Sequence, residues 1–439
     1  MQRRQFIGVL GALTAGAGMR RGGDVALAPP ASDLSATPSE WRRHFPALQQ
    51  SVNNEPLLYL DTAATALRPA QVIDAIANYY RRDNANPGAA LHTLARRSAE
   101  IYDDARRAAA DFIKASDPSE IVFTRGTTEG INLVAATWAA ANLRPGDNVV
   151  VGVAEHASNM APWQAAARRA GAEVRYFGVG DAGHPLLEDL ASKLDARTKV
   201  VAFSHVSNVL GMINPAKQMC ALARAPGRIV VVDGAQSAPH FAVDVRDIGC
   251  DFFAFSGHKM LGPIGVGVLW GRRDLLDAMP PYQSGSNMAH DVDLDSMHLS
   301  DAALKFGAGT PNVSGPVGLA AAIRFLRSLG EVALWKHEQQ ITRQMLRRLG
   351  AIPGVRVLGS TVPEEKISVF SFTVDGKEPA DVLRSLDARG IAVRAGDLAS
   401  LPLLKRLGTT RAVRASCYLY TTYEEVDRFA DALEGLSPK

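Results

Sequence analysis

Between Tyr59 and Trp270 one pattern repeats: a short run of apolar residues, a polar or glycine-containing loop, then a helical stretch. Four of the runs are Ile121-Val122-Phe123, Val149-Val150-Val151, Val200-Val201-Ala202-Phe203 and Ile229-Val230-Val231-Val232, and each leads into polar residues rather than a tight hairpin turn. A strand that is apolar at every position has both faces out of water. Such strands alternating with helices predict a mostly parallel sheet with helices on both sides. Ligands of these sheets gather beyond the carboxyl ends of the strands, so the residues after each run are where chemistry is expected.

After Pro311 the texture changes. A helical run from Val317 through Leu349 precedes strands at Ile367–Val374, Ile391–Arg394 and Val413–Tyr420 and helices at Ala380–Arg389 and Glu424–Leu436, an order that suggests a smaller α+β domain. A chain of 439 residues exceeds the usual single core. The expected plan is α/β: a large domain over 59–325 on a mostly parallel mixed sheet flanked by helices, and a small C-terminal domain over 326–439. Residues 29–58 form a linker and an amino-terminal segment expected to pack against the small domain or across the boundary.

The first 28 residues read as a twin-arginine signal peptide: Arg3-Arg4, a glycine-rich apolar run from Gly8 to Gly18, Arg20-Arg21, and Ala26-Leu27-Ala28 as a small-residue cleavage site. This predicts handling by the twin-arginine translocase and a mature protein in the periplasm or cell envelope. No segment supplies the ~18 uninterrupted apolar residues of a membrane span, so stable membrane insertion is not expected. The chain has 48 basic and 45 acidic residues; without the leader's four arginines and one aspartate, the two signs balance. No global field remains to attract nucleic acid. Cys220, Cys250 and Cys417 are too few and scattered for a disulfide framework or a metal cluster, and no metal site is expected.

The loops after the strands carry the candidate site. Phe252-Phe253-Ala254-Phe255 ends in Ser256-Gly257-His258-Lys259. A lysine at the tip of a buried strand costs several kcal/mol to desolvate unless something uses it, and its neutral amine attacks carbonyl carbon. Gly126-Thr127-Thr128-Glu129-Gly130 puts small residues and two hydroxyls at a helix N-terminus, which reads either as a phosphate seat or as an ordinary threonine N-cap. Glu155-His156 offers an imidazole on which a planar ring could stack, or a structural histidine. The Asn208 amide could reach a substrate carboxylate. Asp233, at the tip of a wholly apolar strand, needs a cationic partner.

Taken together, an imine-forming lysine, a carboxylate 26 residues upstream, a phosphate seat and a stacking imidazole describe a pyridoxal 5'-phosphate site. Lys259, His156 and Asp233 are the expected catalytic residues, with Asp233 holding the pyridine nitrogen protonated and Lys259 shuttling protons. Thr127, Thr128, Ser256 and His258 are expected on the phosphate, and Gln236 on the ring's phenolic oxygen.

The chain resembles the class V aminotransferase family of fold-type I pyridoxal phosphate enzymes, and within it the group-II cysteine desulfurases and selenocysteine lyases. The likeness rests on Tyr59-Leu60-Asp61-Thr62-Ala63-Ala64, Leu91-His92-Thr93-Leu94, Asp233-Gly234-Ala235-Gln236, Ser256-Gly257-His258-Lys259, Ala308-Gly309-Thr310-Pro311 and Val413-Arg414-Ala415-Ser416. The resemblance implies a homodimer in which Thr310 reaches the other subunit's cofactor phosphate, and an Arg414 that grips the substrate carboxylate, with His92 and Arg394 also lining the site. Desulfurases of this family carry a cysteine on the loop after the strand equivalent to Ile391–Arg394; here that loop reads Gly396-Asp397-Leu398-Ala399-Ser400, with alanine at position 399. The leading expectation is therefore transamination or epimerisation of a small amino-acid-type substrate. The alternatives are a desulfurase or selenocysteine lyase working without the usual cysteine, and a catalytically silent cofactor-bound protein.

Overall fold

In the computed structural model, which describes residues 38–88 and 91–436, the apolar runs become a seven-stranded sheet. Its strands are β1 (Ile121–Thr124), β2 (Asn148–Gly152), β3 (Glu173–Phe177), β4 (Thr198–Ser204), β5 (Ile229–Asp233), β6 (Phe252–Ser256) and β7 (Gly267–Gly271), in the order β1-β7-β6-β5-β4-β2-β3. Strands β2 to β6 run parallel, and β7 is antiparallel to both β6 and β1. Val149, Val151, Val200, Ala202 and Val231 face one core; Val150, Val201, Phe203, Val230 and Val232 face another. The unbroken apolar runs thus follow from burying both faces of each strand. The edge strand β3, Glu-Val-Arg-Tyr-Phe, lacks that signature because four of its five residues are exposed or only partly buried.

The helical run expected from Val317 to Leu349 is two helices. Helix α1 (Thr127–Val134) follows β1; α2 (Ser314–Leu329) and α3 (Glu331–Ala351) are separated at Gly330, whose φ of 81° suits glycine. The break is also a change of partner. Leu319, Ile323 and Leu326 of α2 join a core of the large sheet, whereas Ile341, Met345 and Leu349 of α3 pack on a second, antiparallel sheet. That sheet comprises β8 (Val355–Val357), β9 (Val369–Val374), β10 (Arg394–Gly396) and β11 (Ala412–Ser416), ordered β8-β9-β11-β10. The strand expected over Ile391–Arg394 divides: Ile391–Ala392 pairs in parallel with Leu58–Tyr59, and the chain then turns into β10 beside β11.

Phe45 contacts Phe325 of α2 and Tyr420 beyond β11, and Arg42 bonds the Tyr420 carbonyl and Glu425, so the amino-terminal segment touches elements of both sheets. The described residues belong to one compact unit, Ser35–Lys439. Among them no helix is long and apolar enough to cross a membrane. The leader expected at residues 1–28 lies outside the described residues.

Candidate active site

The carboxyl-terminal tips of the parallel strands open onto a cavity of about 450 Å³, within the range of small-molecule sites. The loops after β1, β2, β4, β5 and β6 contribute Thr127, Thr128, His156, Asn208, Asp233, Gln236, Ser256, His258 and Lys259, and the second sheet contributes Arg394, Asp397 and Arg414. Lys259 ends a single helical turn, Gly257–Lys259, directly after β6.

The floor holds two charged groups, Asp233 and Lys259. Asp233 is buried and accepts a hydrogen bond from Ala235 N at 2.9 Å; burial raises its pKa, against the opposing pull of Lys259. Lys259 lines the cavity. Burial, opposed by Asp233 and reinforced by Arg414 and Arg394, lowers its pKa to about 8. Burial, with Lys259 adding to it, lowers both His156 and His258 to about 4, so both imidazoles are neutral at physiological pH. Behind His156, the buried Glu155 is pushed up to about 8 by desolvation and bonds Asn159 Nδ2 at 2.7 Å.

At one end Thr127 N and Oγ1 both bond Ser256 Oγ, at 2.8 and 2.7 Å, and Thr128 Oγ1 donates to Ser158 Oγ at 2.8 Å. Two glycines bring this loop down onto the sheet. Gly126 has a φ of 156°, and a Cβ on Gly267 would lie 2.5 Å from Gly126 Cα. The N-terminus of α1 is thereby held against the cavity, where its free N–H groups favour an anion.

The opposite wall comes from the second sheet. Arg414, 3% exposed, donates from Nη1 to Asn208 O at 2.8 Å and places Nη2 3.5 Å from Asp61 Oδ1. Arg394 clasps the same carboxylate through Nε at 3.1 Å and Nη2 at 2.7 Å. Asp61 is a residue the sequence reading missed. It stood in the stretch Tyr59–Ala64 that carries the family resemblance, but its two arginines are far away in the chain. Asn208 lines the cavity with its amide partly engaged: Nδ2 donates to Leu398 O at 2.9 Å, leaving its second hydrogen, and Oδ1 accepts from Ser400 Oγ at 3.2 Å.

Two expected residues lie elsewhere on this chain. His92 caps the helix Thr93–Phe112, its Nδ1 accepting from Ala95 N at 3.3 Å, and Thr310 Oγ1 accepts from Asn86 Nδ2 at 3.1 Å; neither lines the cavity. The three cysteines are free, buried and absent from its lining. Cys417 lies in the core of the second sheet, and burial raises its thiol pKa well above the ordinary value.

The residues present fit pyridoxal phosphate. Gln236 Oε1 and Arg414 Nε are buried beside the cavity without a hydrogen-bond partner, so a polar ligand is needed to complete them. Lys259 would hold the aldehyde, Asp233 the ring nitrogen, and Thr127, Thr128, Ser256 and His258 the phosphate.

Residues 58–429 match the family model Aminotransferase class-V. A probable cysteine desulfurase of Halalkalibacterium halodurans is 45% identical over 395 residues, 90% of this chain and 97% of that protein. A cysteine desulfurase of Salmonella gallinarum is 44% identical over 89% of this chain and 96% of its own. Some relatives are longer: the chain spans 64% of a probable cysteine desulfurase of Mycobacterium leprae, at 43% identity. The structure of the cysteine desulfurase CsdA from Escherichia coli superposes with a TM-score of 0.83 at 36% identity, covering 91% of this chain and 98% of that one. A complex of the cystine C-S lyase C-DES with its reaction product cysteine persulfide superposes with a TM-score of 0.76 at 25% identity, covering 90% and 100%. These relatives correct the expected periplasmic location: the Halalkalibacterium halodurans and Salmonella gallinarum proteins, matched over nearly their whole length, are named as cysteine desulfurases and lend no support to delivery into the cell envelope. An arginine pair before a glycine-rich, weakly apolar run was too slender a signal for that expectation. The chain belongs to the aminotransferase class-V family of pyridoxal phosphate enzymes and is cysteine desulfurase-like.

Proposed function

We propose that this protein is a lyase that breaks the Cβ–S bond of a cysteine-derived amino acid and lets the sulfur leave with the product. The observation that carries this reading is a cavity holding Lys259, Asp233 and Arg414 with no thiol in its lining, and with Ala399 on the wall where the family resemblance implies a cysteine. The desulfurase relatives support sulfur chemistry, and the likeness to a cystine C-S lyase supports an elimination in which the leaving sulfur needs no acceptor on the protein.

Bound pyridoxal phosphate supplies an electron-withdrawing ring that stabilises negative charge at the substrate's α-carbon. Arg414, fixed by Asn208 and Asp61, takes the substrate's α-carboxylate in a charge-assisted, potentially bidentate pair. Lys259, with a pKa of about 8, is poised to take the α-proton near neutral pH. His156 presents a neutral imidazole on the wall. The Cβ–S bond then breaks with its electron pair going to sulfur, which picks up a proton. Hydrolysis of the remaining three-carbon fragment yields pyruvate and ammonia. A disulfide-bridged substrate plus one water gives cysteine persulfide, pyruvate and ammonia; a selenium analogue has the better leaving group.

The same reading includes a homodimer. Thr310 and His92 are both exposed, which suits their reaching the cavity of a second copy, and Leu91 and Leu94, neighbours of His92 in the chain, are exposed too. Transamination or epimerisation is the second reading, favoured by the absent thiol. Incubating the cofactor-loaded protein with cystine, cysteine, selenocysteine and alanine separates them. Pyruvate with released persulfide, sulfide or selenide supports the lyase; a 2-oxo acid without sulfur release, or loss of optical activity alone, overturns it.

A further inference from the structure

The segment after β10 forms the outer wall of the cavity and is held on every side. Leu398 O accepts from Asn208 Nδ2 at 2.9 Å, Ala399 O accepts from Ala157 N at 2.7 Å, and Ser400 N donates to Asp397 O at 3.0 Å. Leu398 is 6% exposed in a core with Val209 and Leu403. Leu398 and Ala399 take φ values of 52° and 54°, a region costly for non-glycine residues and kept only where the surroundings enforce it. This is a fixed wall.

Asp397 stands on that wall, exposed and lining the cavity. One carboxylate oxygen accepts from Ala399 N at 3.1 Å, which leaves its second oxygen for a ligand. Arg394, three residues earlier and 48% exposed on its side chain, also lines the cavity; Asp61 occupies Nε and Nη2, which leaves the Nη1 donors for a ligand. The deep end of the cavity already supplies a cation for one α-carboxylate, Arg414. The outer end repeats the arrangement, with a carboxylate and a guanidinium on one short segment.

We propose that Asp397 is a specificity-determining residue that binds the distal α-ammonium of a bridged diamino dicarboxylic substrate, with Arg394 taking its distal carboxylate. The proposal rests on the lyase reading and names its substrate class: two α-amino acid heads joined through a disulfide or thioether. Such a substrate matches a wall without a thiol, because its sulfur departs attached to the second head held at Asp397 and Arg394.

Two measurements test this. Wild-type enzyme is expected to show at least about tenfold higher kcat/KM for cystine than for S-methylcysteine, and Asp397→Asn to reduce that ratio about tenfold, chiefly through the KM for cystine. In parallel, calorimetric titration of cystine into cofactor-loaded Lys259→Ala protein, which binds without turnover, should weaken about tenfold when Asp397→Asn is added. Retained cofactor absorbance shows that the variant still folds. An unchanged ratio together with unchanged cystine affinity overturns the proposal. If no sulfur amino acid yields pyruvate, the lyase reading fails, and the titration still decides whether Asp397 reads a distal ammonium.

Discussion

The floor and the outer wall of the cavity are built by different means. Lys259, Asp233 and Ser256 stand at or just past the ends of β5 and β6, strands buried along their whole length on both faces. Arg394, Asp397 and Arg414 come from the second sheet, and their geometry depends on Asp61, Asn208 and a short strained loop. Moving a floor residue would require moving the core of the large sheet. An exposed wall residue such as Asp397 can change with little consequence for either sheet, whereas Arg414 is buried in β11. The shared chemistry of the family therefore sits where the fold leaves least freedom, and the choice of substrate and the fate of the sulfur sit where it leaves most.

The largest effect that would sharpen this contrast is on the floor. Lys259→Ala should lower turnover by about 10³-fold or more, because no other cavity amine can move the α-proton, while substrate binding at the wall survives in equilibrium titrations. Arg414→Ala removes the buried guanidinium and should lower kcat/KM by about 10²-fold, mostly through KM. Equal losses in kcat and binding from both variants would erase the distinction between floor and wall. Asp61→Asn should cost about tenfold in kcat/KM, since two arginines lose a common carboxylate partner, and loss of Arg394 and Arg414 order in a crystal structure would accompany it.

Smaller effects remain. Ala399→Cys places a thiol on the wall without changing the floor, and a fraction of the variant should acquire a persulfide mass during turnover of cysteine, which intact-protein mass spectrometry reads. The Lys259 pKa, lowered to about 8 mainly by burial, sets a pH dependence. The group is cationic below that value and neutral above it, so its labelling by an amine-selective reagent in cofactor-free protein should rise with pH and level off above about 8, while ordinary lysines continue to rise past pH 10. A labelling profile like that of surface lysines would show that the amine is not desolvated.

What was legible in the sequence follows the same division. The strands β1, β2, β4, β5 and β6 announced themselves because two-sided burial demands apolar residues at nearly every position, and their ends and the loops after them led to Lys259, Asp233, His156 and Thr127. The edge strand β3 carried no such signature, β7 offered only the short run Val268-Leu269-Trp270 between glycines, and Gly330 was hidden inside an otherwise helical pattern. The wall was harder to read because its contacts are long-range. Asp61 and Arg394 are separated by 333 residues, and the Asn208 amide is used by a loop 190 residues away. His92 and Thr310 do not line the cavity of the single chain, since a helix cap and an asparagine partner hold them on its surface.

The claim on which this account turns is that sulfur leaves without being carried on the protein. The direct measurement is intact-protein mass spectrometry during steady turnover of cystine, with pyruvate and small-molecule persulfide quantified in the same samples. The expected result is equal amounts of pyruvate and free persulfide with no added sulfur mass on the protein. A protein-bound persulfide at Cys220, Cys250 or Cys417 that forms and decays at the rate of turnover would contradict it.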